Sequence, residues 1–160
     1  MLHFLFVCLL VQVSVCDIRT GKIPDRLNLA ILALGMIRQL AAFLPAGDAA
    51  AGTVAGTAGA LAQLAASLAG GLLAAALPMY LLAVAFPGSI GGGDIKFTAA
   101  AGVFLGASAV LRGTAAGMLL AGVYGAGILL QHKKTARQTF ALGPFLAAGF
   151  LLSMLAGPAG

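Results

Sequence analysis

A long stretch without charge constrains this chain more than any other feature: no Asp, Glu, Lys, Arg or His lies between Asp48 and Asp94. About 20 apolar residues suffice to cross a hydrocarbon core as a helix. Over the whole chain 61% of the residues are hydrophobic and 8% are charged, whereas soluble domains carry about 25% charged residues. The sequence therefore predicts an all-α membrane protein, organised as a single transmembrane domain over residues 1–160.

Charged and turn-forming residues divide the chain into apolar segments. The uncharged stretch could hold two helices joined at Gly70 and Gly71, or one helix. One helix is predicted, because two would place Lys96 on the opposite side of the membrane from the other basic loops. About six transmembrane helices result, with the N- and C-termini outside. They are predicted at residues 2–16 with an extension to Asp17 or Ile18, and at 27–44, 63–86, 95–111, 114–130 and 140–156.

Basic residues are concentrated on one predicted side of this bundle. Arg38 and Arg112 are placed outside, where Arg38 reaches the surface and residues 45–52 form a loop. Seven basic residues are placed inside: Arg19, Lys22, Arg26, Lys96, Lys133, Lys134 and Arg137. This asymmetry follows the positive-inside rule, so the net charge of +5 reflects orientation and lipid contact, and no nucleic-acid partner is predicted. Cys8 and Cys16 form no Cys-x-x-Cys pair, so no metal site is predicted.

The acidic residues are few, and two of them are predicted to meet. All four are aspartates: Asp17, Asp25, Asp48 and Asp94. Asp17 closes the first predicted helix and Asp94 opens the fourth, so both reach the inner side, and ionisable groups beside a membrane span are functional candidates. Two facing carboxyl groups can share one proton, because like charges at short range resist double ionisation. The ionised group then takes a proton from water while the protonated group polarises a carbonyl, as in aspartic peptide hydrolysis.

Three segments resemble motifs of the type IV prepilin peptidases. Residues 17–19 read Asp-Ile-Arg and residues 23–25 read Ile-Pro-Asp, similar to an Asp-x-Arg followed by Ile-Pro-Asn in that family. Residues 91–96 read Gly-Gly-Gly-Asp-Ile-Lys, similar to the family's Gly-x-Gly-Asp motif with its apolar residue and Lys. Residues 140–146 contain Gly-Pro-Phe, which resembles the start of the family's last core helix. Asp25 departs from the pattern, because the family usually has Asn there.

This resemblance implies a GxGD-type intramembrane aspartyl protease with Asp17 and Asp94 in the catalytic positions and no cofactor. Such enzymes remove a short basic leader from prepilins or pseudopilins at the cytoplasmic face of the bacterial inner membrane. They cut after a Gly, just before the apolar helix of the substrate. Larger members carry a part with paired Cys-x-x-Cys motifs and also methylate the new N-terminus. Nothing in this sequence matches that part, so the short, peptidase-only form is expected and methyl transfer is not predicted.

The motifs contain further candidates, each with an alternative role. They are Arg19, Pro24, Asp25, Gly91, Gly93, Lys96 and Pro144. Arg19 and Lys96 would hold substrate carbonyls or contact lipid phosphates, and Asp25 would attract a basic leader or pair with a neighbouring cation. Gly91 and Gly93 would let the backbone unwind and a substrate come close, because glycine has no Cβ. Pro24 breaks the chain between the first two helices, and Pro144 bends or starts a helix.

Two other functions fit the same residues. A small transporter also uses intramembrane acids, but it would place them near the midplane, often in repeated halves. No internal repeat is present, and the aspartates are predicted at the membrane interface. A non-catalytic membrane scaffold is the other alternative, and a peptidase of the same fold could also act on other leader-bearing membrane proteins.

Overall fold

The computed structural model describes residues 1–47, 54–88, 90–131 and 141–157, and within those ranges it contains helices and no strand. The helices are α1 (Leu2–Thr20), α2 (Asp25–Gly47), α3 (Val54–Ala85), α4 (Gly92–Leu105), α5 (Ala107–Gln131) and α6 (Gly143–Leu155). Four of them contain candidate membrane spans: Leu2–Thr20, Asp25–Phe43, Ala58–Ala85 and Ala107–Ile128. The predicted all-α architecture with about six helices is confirmed, and the chain is a multi-pass membrane protein. The predictions for Asp48, Lys133, Lys134 and Arg137 lie outside the described residues.

Within the described part of the uncharged stretch, one helix of membrane-spanning length forms, as predicted, although it begins at Val54 and not near residue 63. Helix α3 has 32 residues and passes through Gly70 and Gly71 without a turn. A Cβ on Gly71 would overlap the backbone of Gly102 in α4. The small residues of α3 therefore bring two helix backbones together, which is how small-residue patterns act in membrane bundles.

The boundary between α4 and α5 was predicted wrongly. It was expected near Arg112, but α4 ends at Leu105 and α5 begins at Ala107. The chain breaks at Gly106 because its φ of 89° is a conformation that residues with a Cβ rarely adopt. Arg112 lies within α5, and its Nη2 donates to the carbonyl of Gly157 at 3.1 Å. The charged residue therefore joins α5 to the chain that follows α6, and a glycine forms the turn between α4 and α5.

Helix α4 is short and central. Its 14 residues rise about 21 Å at 1.5 Å per residue, less than a hydrocarbon core of about 30 Å. Its last carbonyls are covered by α2, because the Arg38 guanidinium donates to the Phe104 carbonyl and Gln39 Nε2 donates to the Val103 carbonyl at 3.2 Å. Arg38 is thus held against α4, and its place at the outer surface of the membrane stays a prediction. Arg38 is half-buried and also lies 5.0 Å from the centre of the Phe104 ring.

Glycines also set the contact between α5 and α6. Gly113 and Gly117 lie one turn apart on α5, and a Cβ on Gly149 of α6 would meet Gly117 N at 2.6 Å and overlap the Gly113 carbonyl. Helix α6 begins at Gly143 with Pro144 in its first turn, as predicted for a proline that starts a helix. This packing sets the position of the first turn of α6, which contacts the candidate site.

The predicted ends of the first two helices need small corrections. Helix α1 continues through Asp17 to Thr20, and α2 begins at Asp25 and continues to Gly47. Residues 45–47, expected in a loop, are therefore helical. Gly21 closes α1 with a φ of 63°, and its N–H donates to the Asp17 carbonyl at 2.8 Å. This left-handed residue turns the chain toward α2.

Candidate active site

Asp17 lies in the last turn of α1 and is buried, with 5% of its surface exposed. Its Oδ2 accepts a hydrogen bond of 2.8 Å from the N–H of Gly143, the first residue of α6. The first N–H groups of a helix have no partner within the helix, so this carboxylate occupies a donor that would otherwise be unpaired. The contact fixes the orientation of the Asp17 carboxyl group, and its donor, Gly143, lies 126 residues away in sequence.

Asp94 lies in the first turn of α4 and is half-buried. Gly91 precedes the helix in an extended conformation, with φ −74° and ψ 142°. Asp94 lines a cavity of about 270 Å³, and Asp17 lines the same cavity. The two carboxyl groups are close enough to interact electrostatically. We call this space the dyad cavity; its other lining residues are Gly21, Lys22, Ile23, Asp25, Gly91, Gly92, Gly93 and Lys96.

Asp25 and Lys96 form an ion pair, with 3.0 Å between Asp25 Oδ1 and Lys96 Nζ. The pairing of Asp25 with a cation was one of the two readings of the sequence, but the cation comes from α4 and not from a neighbour in sequence. The side chains are 68% and 62% exposed respectively, and exposed pairs contribute about 0–1 kcal/mol to stability. Both residues line the dyad cavity. The pair therefore matters for the charges at the cavity and not for the stability of the fold.

The remaining candidates divide into those at the cavity and those away from it. Gly91 and Gly93 line it, whereas Arg19 is exposed in the last turn of α1 and is not among the lining residues. The Pro24 carbonyl accepts the N–H of Leu27 at 3.0 Å, so Pro24 starts α2. Pro144 follows Gly143 in the first turn of α6. None of the three glycines at residues 91–93 has a positive φ. Their contribution to the site is therefore the absence of a side chain and not an unusual backbone conformation.

Sequence reasoning missed three residues around the site. Gly143 was noted only as the neighbour of Pro144, yet it contacts Asp17 directly. Ile23 is buried and would meet a Cβ on Gly93 at 3.4 Å, so it holds the α1–α2 loop against α4. Asn28 is buried, and its side chain has no hydrogen-bond partner within the part of the chain that the structure describes. A Gly-Pro pair at a predicted helix start could have indicated Gly143. The roles of Ile23 and Asn28 depend on contacts with residues that are distant in sequence.

Three carboxyl groups surround the dyad cavity, but they are not arranged as metal ligands. Across residues 1–47, 54–88, 90–131 and 141–157, no group of three or more His, Cys, Asp or Glu side chains converges on one point. Two of the three carboxyl groups have partners of their own, Gly143 for Asp17 and Lys96 for Asp25. What the arrangement offers chemically is a pair of carboxyl groups at a small polar cavity.

Comparison with known proteins gives the same family as the motifs. The sequence model of the Type IV leader peptidase family matches residues 4–126. The chain is also similar to the "Prepilin leader peptidase/N-methyltransferase" of Bacillus subtilis (strain 168), with 32% identity over 155 residues. That match covers 95% of this chain and 54% of the relative, so the chain spans about half the length of the curated relative. No solved structure matches. The family match covers most of the chain, and the protein therefore belongs to the type IV leader peptidase family.

Proposed function

We propose that this protein is an aspartic endopeptidase that removes the leader peptide from type IV prepilins or pseudopilins. The observation that carries the proposal is the position of Asp17 and Asp94, which come from different helices and line one cavity. Family membership and the prepilin peptidase relative support the substrate class. The proposed location is the bacterial inner membrane, with the dyad cavity facing the cytoplasm, and no cofactor is part of the mechanism.

The proposed reaction uses the two carboxyl groups as one unit. They share a proton, because two close carboxylates resist double ionisation. The ionised group takes a proton from water, and the water oxygen attacks the scissile carbonyl carbon while the protonated group donates a hydrogen bond to the carbonyl oxygen. The tetrahedral intermediate then collapses, the C–N bond breaks, and the leaving amine takes a proton from the dyad. The Gly143 N–H keeps the Asp17 carboxyl group directed into the site.

The ion pair at the cavity gives the substrate's leader a place to interact. Asp25 is exposed and already accepts a cation, the Lys96 ammonium group. A basic leader, which precedes the scissile bond, supplies competing cations, and its long side chains are proposed to reach Asp25 across the dyad cavity while Lys96 is released toward substrate carbonyls. Exposed ion pairs are weak, so such an exchange requires little free energy.

Cleavage of a prepilin-like substrate in membranes tests the proposal. The substrate carries a short basic leader ending in Gly before an apolar helix, and mass spectrometry identifies the new N-terminus. Wild-type protein is expected to cut after that Gly. The variant with both Asp17→Asn and Asp94→Asn is the control, and an equal amount of product from this variant would assign the activity to another peptidase. Intact substrate after incubation with folded wild-type protein would contradict the proposed function.

The Gly143→Ala variant is expected to lose most cleavage activity. A Cβ there would lie 2.7 Å from Asp17 Oδ2, so the Asp17 side chain must move and its hydrogen bond must weaken. Displacing a reacting group by about 1 Å can cost about 10²-fold in rate, which is the size of loss expected. The Gly122→Ala variant is the control, because a Cβ there meets nothing within 4 Å. Equal initial rates for the two variants would show that Gly143 does not position Asp17.

Neighbouring glycines at the start of α4 should respond differently to the same substitution. A Cβ on Gly91 would lie 3.1 Å from Asp94 Oδ2, whereas a Cβ on Gly92 would meet nothing within 4 Å. Gly91→Ala is therefore expected to reduce the cleavage rate about 10-fold by displacing the carboxyl group, and Gly92→Ala to retain most of it. Cleavage rates at saturating substrate, measured beside the thermal unfolding midpoint, check this. A reversed order would contradict the assignment.

A further inference from the structure

A second cavity lies beside the dyad cavity, between α2, α3 and α4. Its volume is about 390 Å³, and its walls are mainly apolar: Leu29, Leu32, Leu72, Ala99 and Ala100. Leu29 is 63% exposed and Leu72 is 38% exposed, so the cavity opens along the side of the bundle. We call it the lateral groove. It follows one face of α2 through its first two turns, because residues three and four positions apart share a helix face.

Asn28 is a polar residue in this apolar wall. It is 6% exposed, and neither its Nδ2 nor its Oδ1 has a hydrogen-bond partner among the described residues. Leaving a buried polar group unpaired costs about 1–3 kcal/mol, so a partner that reaches the carboxamide from the groove would be stabilising. Both amide atoms are covered in the free protein, so such a partner must displace the atoms over them. A carboxamide both donates and accepts. A peptide main chain offers both groups in return, whereas a lipid acyl chain offers neither.

The lateral groove and the dyad cavity are adjacent. Asp25 and Lys96 line both of them, so their ion pair forms a shared wall. A chain lying in the groove therefore needs to pass only this pair to reach Asp17 and Asp94. The groove is apolar where a membrane-embedded segment would lie and becomes polar where the scissile bond would lie. This order of surfaces matches a substrate whose cleavage site adjoins an apolar helix.

We infer that the lateral groove binds the first turn of the substrate's apolar segment, and that Asn28 hydrogen-bonds its main chain. This inference rests on the proposed function. The first four N–H groups of a helix have no partner within the helix, so the segment just after the scissile bond has free donors for Asn28 Oδ1. A carbonyl oxygen of that turn can accept from Nδ2 with its second lone pair. Asn28 thus binds substrate and positions it, while the chemistry stays with the two aspartates.

The Asn28→Leu variant tests the role of the carboxamide, because leucine has a similar size and no hydrogen-bonding groups. We expect KM for the prepilin substrate to rise about 10-fold, the loss of roughly one to two net hydrogen bonds, with kcat nearly unchanged. The unfolding midpoint without substrate is expected to stay equal or to rise, since the apolar replacement removes a buried unpaired group. A purely structural Asn28 would instead lower the midpoint, and that result, or an unchanged KM, would overturn the inference.

Disulfide cross-linking tests whether the substrate lies in the lateral groove, and it does not require cleavage. The background carries Cys8→Ala, Cys16→Ala and Asp94→Asn, so that the native thiols are absent and the substrate stays intact. Leu32→Cys is expected to cross-link to a cysteine within the first turn after the scissile bond. Leu40→Cys, on the same helix and exposed but outside the groove, is expected not to.

The two experiments separate the failure of the inference from the failure of the function. Cleavage by wild-type protein with no cross-link at Leu32→Cys would overturn the inference and leave the peptidase standing. Lipid retained by the wild-type protein in native mass spectrometry would then assign the groove to lipid. No cleavage by the wild-type protein, together with no cross-link at Leu32→Cys, would contradict the proposed function itself.

Discussion

Cleavage by the Asp17→Asn variant and by the Asp94→Asn variant is expected to fall by about 10²–10⁴-fold, the usual contribution of general acid–base catalysis. The two carboxyl groups line one cavity, and asparagine retains the shape of aspartate but can neither take a proton from water nor give one to the leaving amine. Initial rates of prepilin cleavage, with the variants matched for amount in the membrane, measure the loss.

The variant with both substitutions distinguishes a catalytic pair from two independent residues. Groups that act as one unit show strongly non-additive losses, so the double variant is expected to be about as slow as either single variant. Losses that multiply would mean that the aspartates act in separate steps. A single variant that cleaves at the wild-type rate would remove that residue from the proposed mechanism.

The Gly149→Ala variant is expected to be strongly destabilised. Its Cβ would lie 2.6 Å from Gly117 N and would overlap the Gly113 carbonyl. Both obstacles are backbone atoms, so no side chain can rotate to make room. Overpacking costs about 1–3 kcal/mol and occasionally more, and helices α5 and α6 must separate to accept the methyl group. The thermal unfolding midpoint in detergent, followed by circular dichroism, measures the effect.

The Gly127→Ala variant is the matched control for Gly149→Ala, because Gly127 also lies within a helix and a Cβ there meets nothing within 4 Å. Replacing glycine by alanine inside a helix normally stabilises it by about 0.5–1 kcal/mol. Its midpoint is therefore expected to stay equal or to rise. Equal midpoints for the two variants would contradict the backbone contact between α5 and α6.

The distribution of charge predicted the helices well, because a buried or lipid-facing charge is costly enough to decide topology. The absence of charge before Asp94 and the position of Lys96 predicted one helix where length alone permitted two, and α3 is one helix. The same reasoning failed at Arg112, which lies within α5 and donates to Gly157. A charged residue indicates a helix boundary only when no distant carbonyl is available to accept its hydrogen bond. Whether one is available depends on how the helices pack.

The candidate site was predictable where chemistry is local and unpredictable where it depends on distant contacts. Asp17 and Asp94 were selected because aspartates are rare in this chain, and they line one cavity. No feature of the neighbouring sequence indicates that Gly143 donates a hydrogen bond to Asp17, or that Lys96 and not a nearby cation pairs with Asp25. Asn28 was passed over because a single Asn near a helix start is ordinary. Its significance comes from a buried side chain that has no hydrogen-bond partner among the described residues.

The hydrogen bond of Asp17 has a consequence for how the dyad can move. It ties α1 to α6, whereas the ion pair of Lys96 and the contacts of Arg38 and Gln39 tie α4 to α2. Directional bonds thus join the aspartates to different helix pairs, and apolar contacts such as Phe97 against Phe150 link one pair to the other. Packed helices slide past one another by small shear movements. The distance between the two carboxyl groups therefore depends on how the α1–α6 pair packs against the α2–α4 pair.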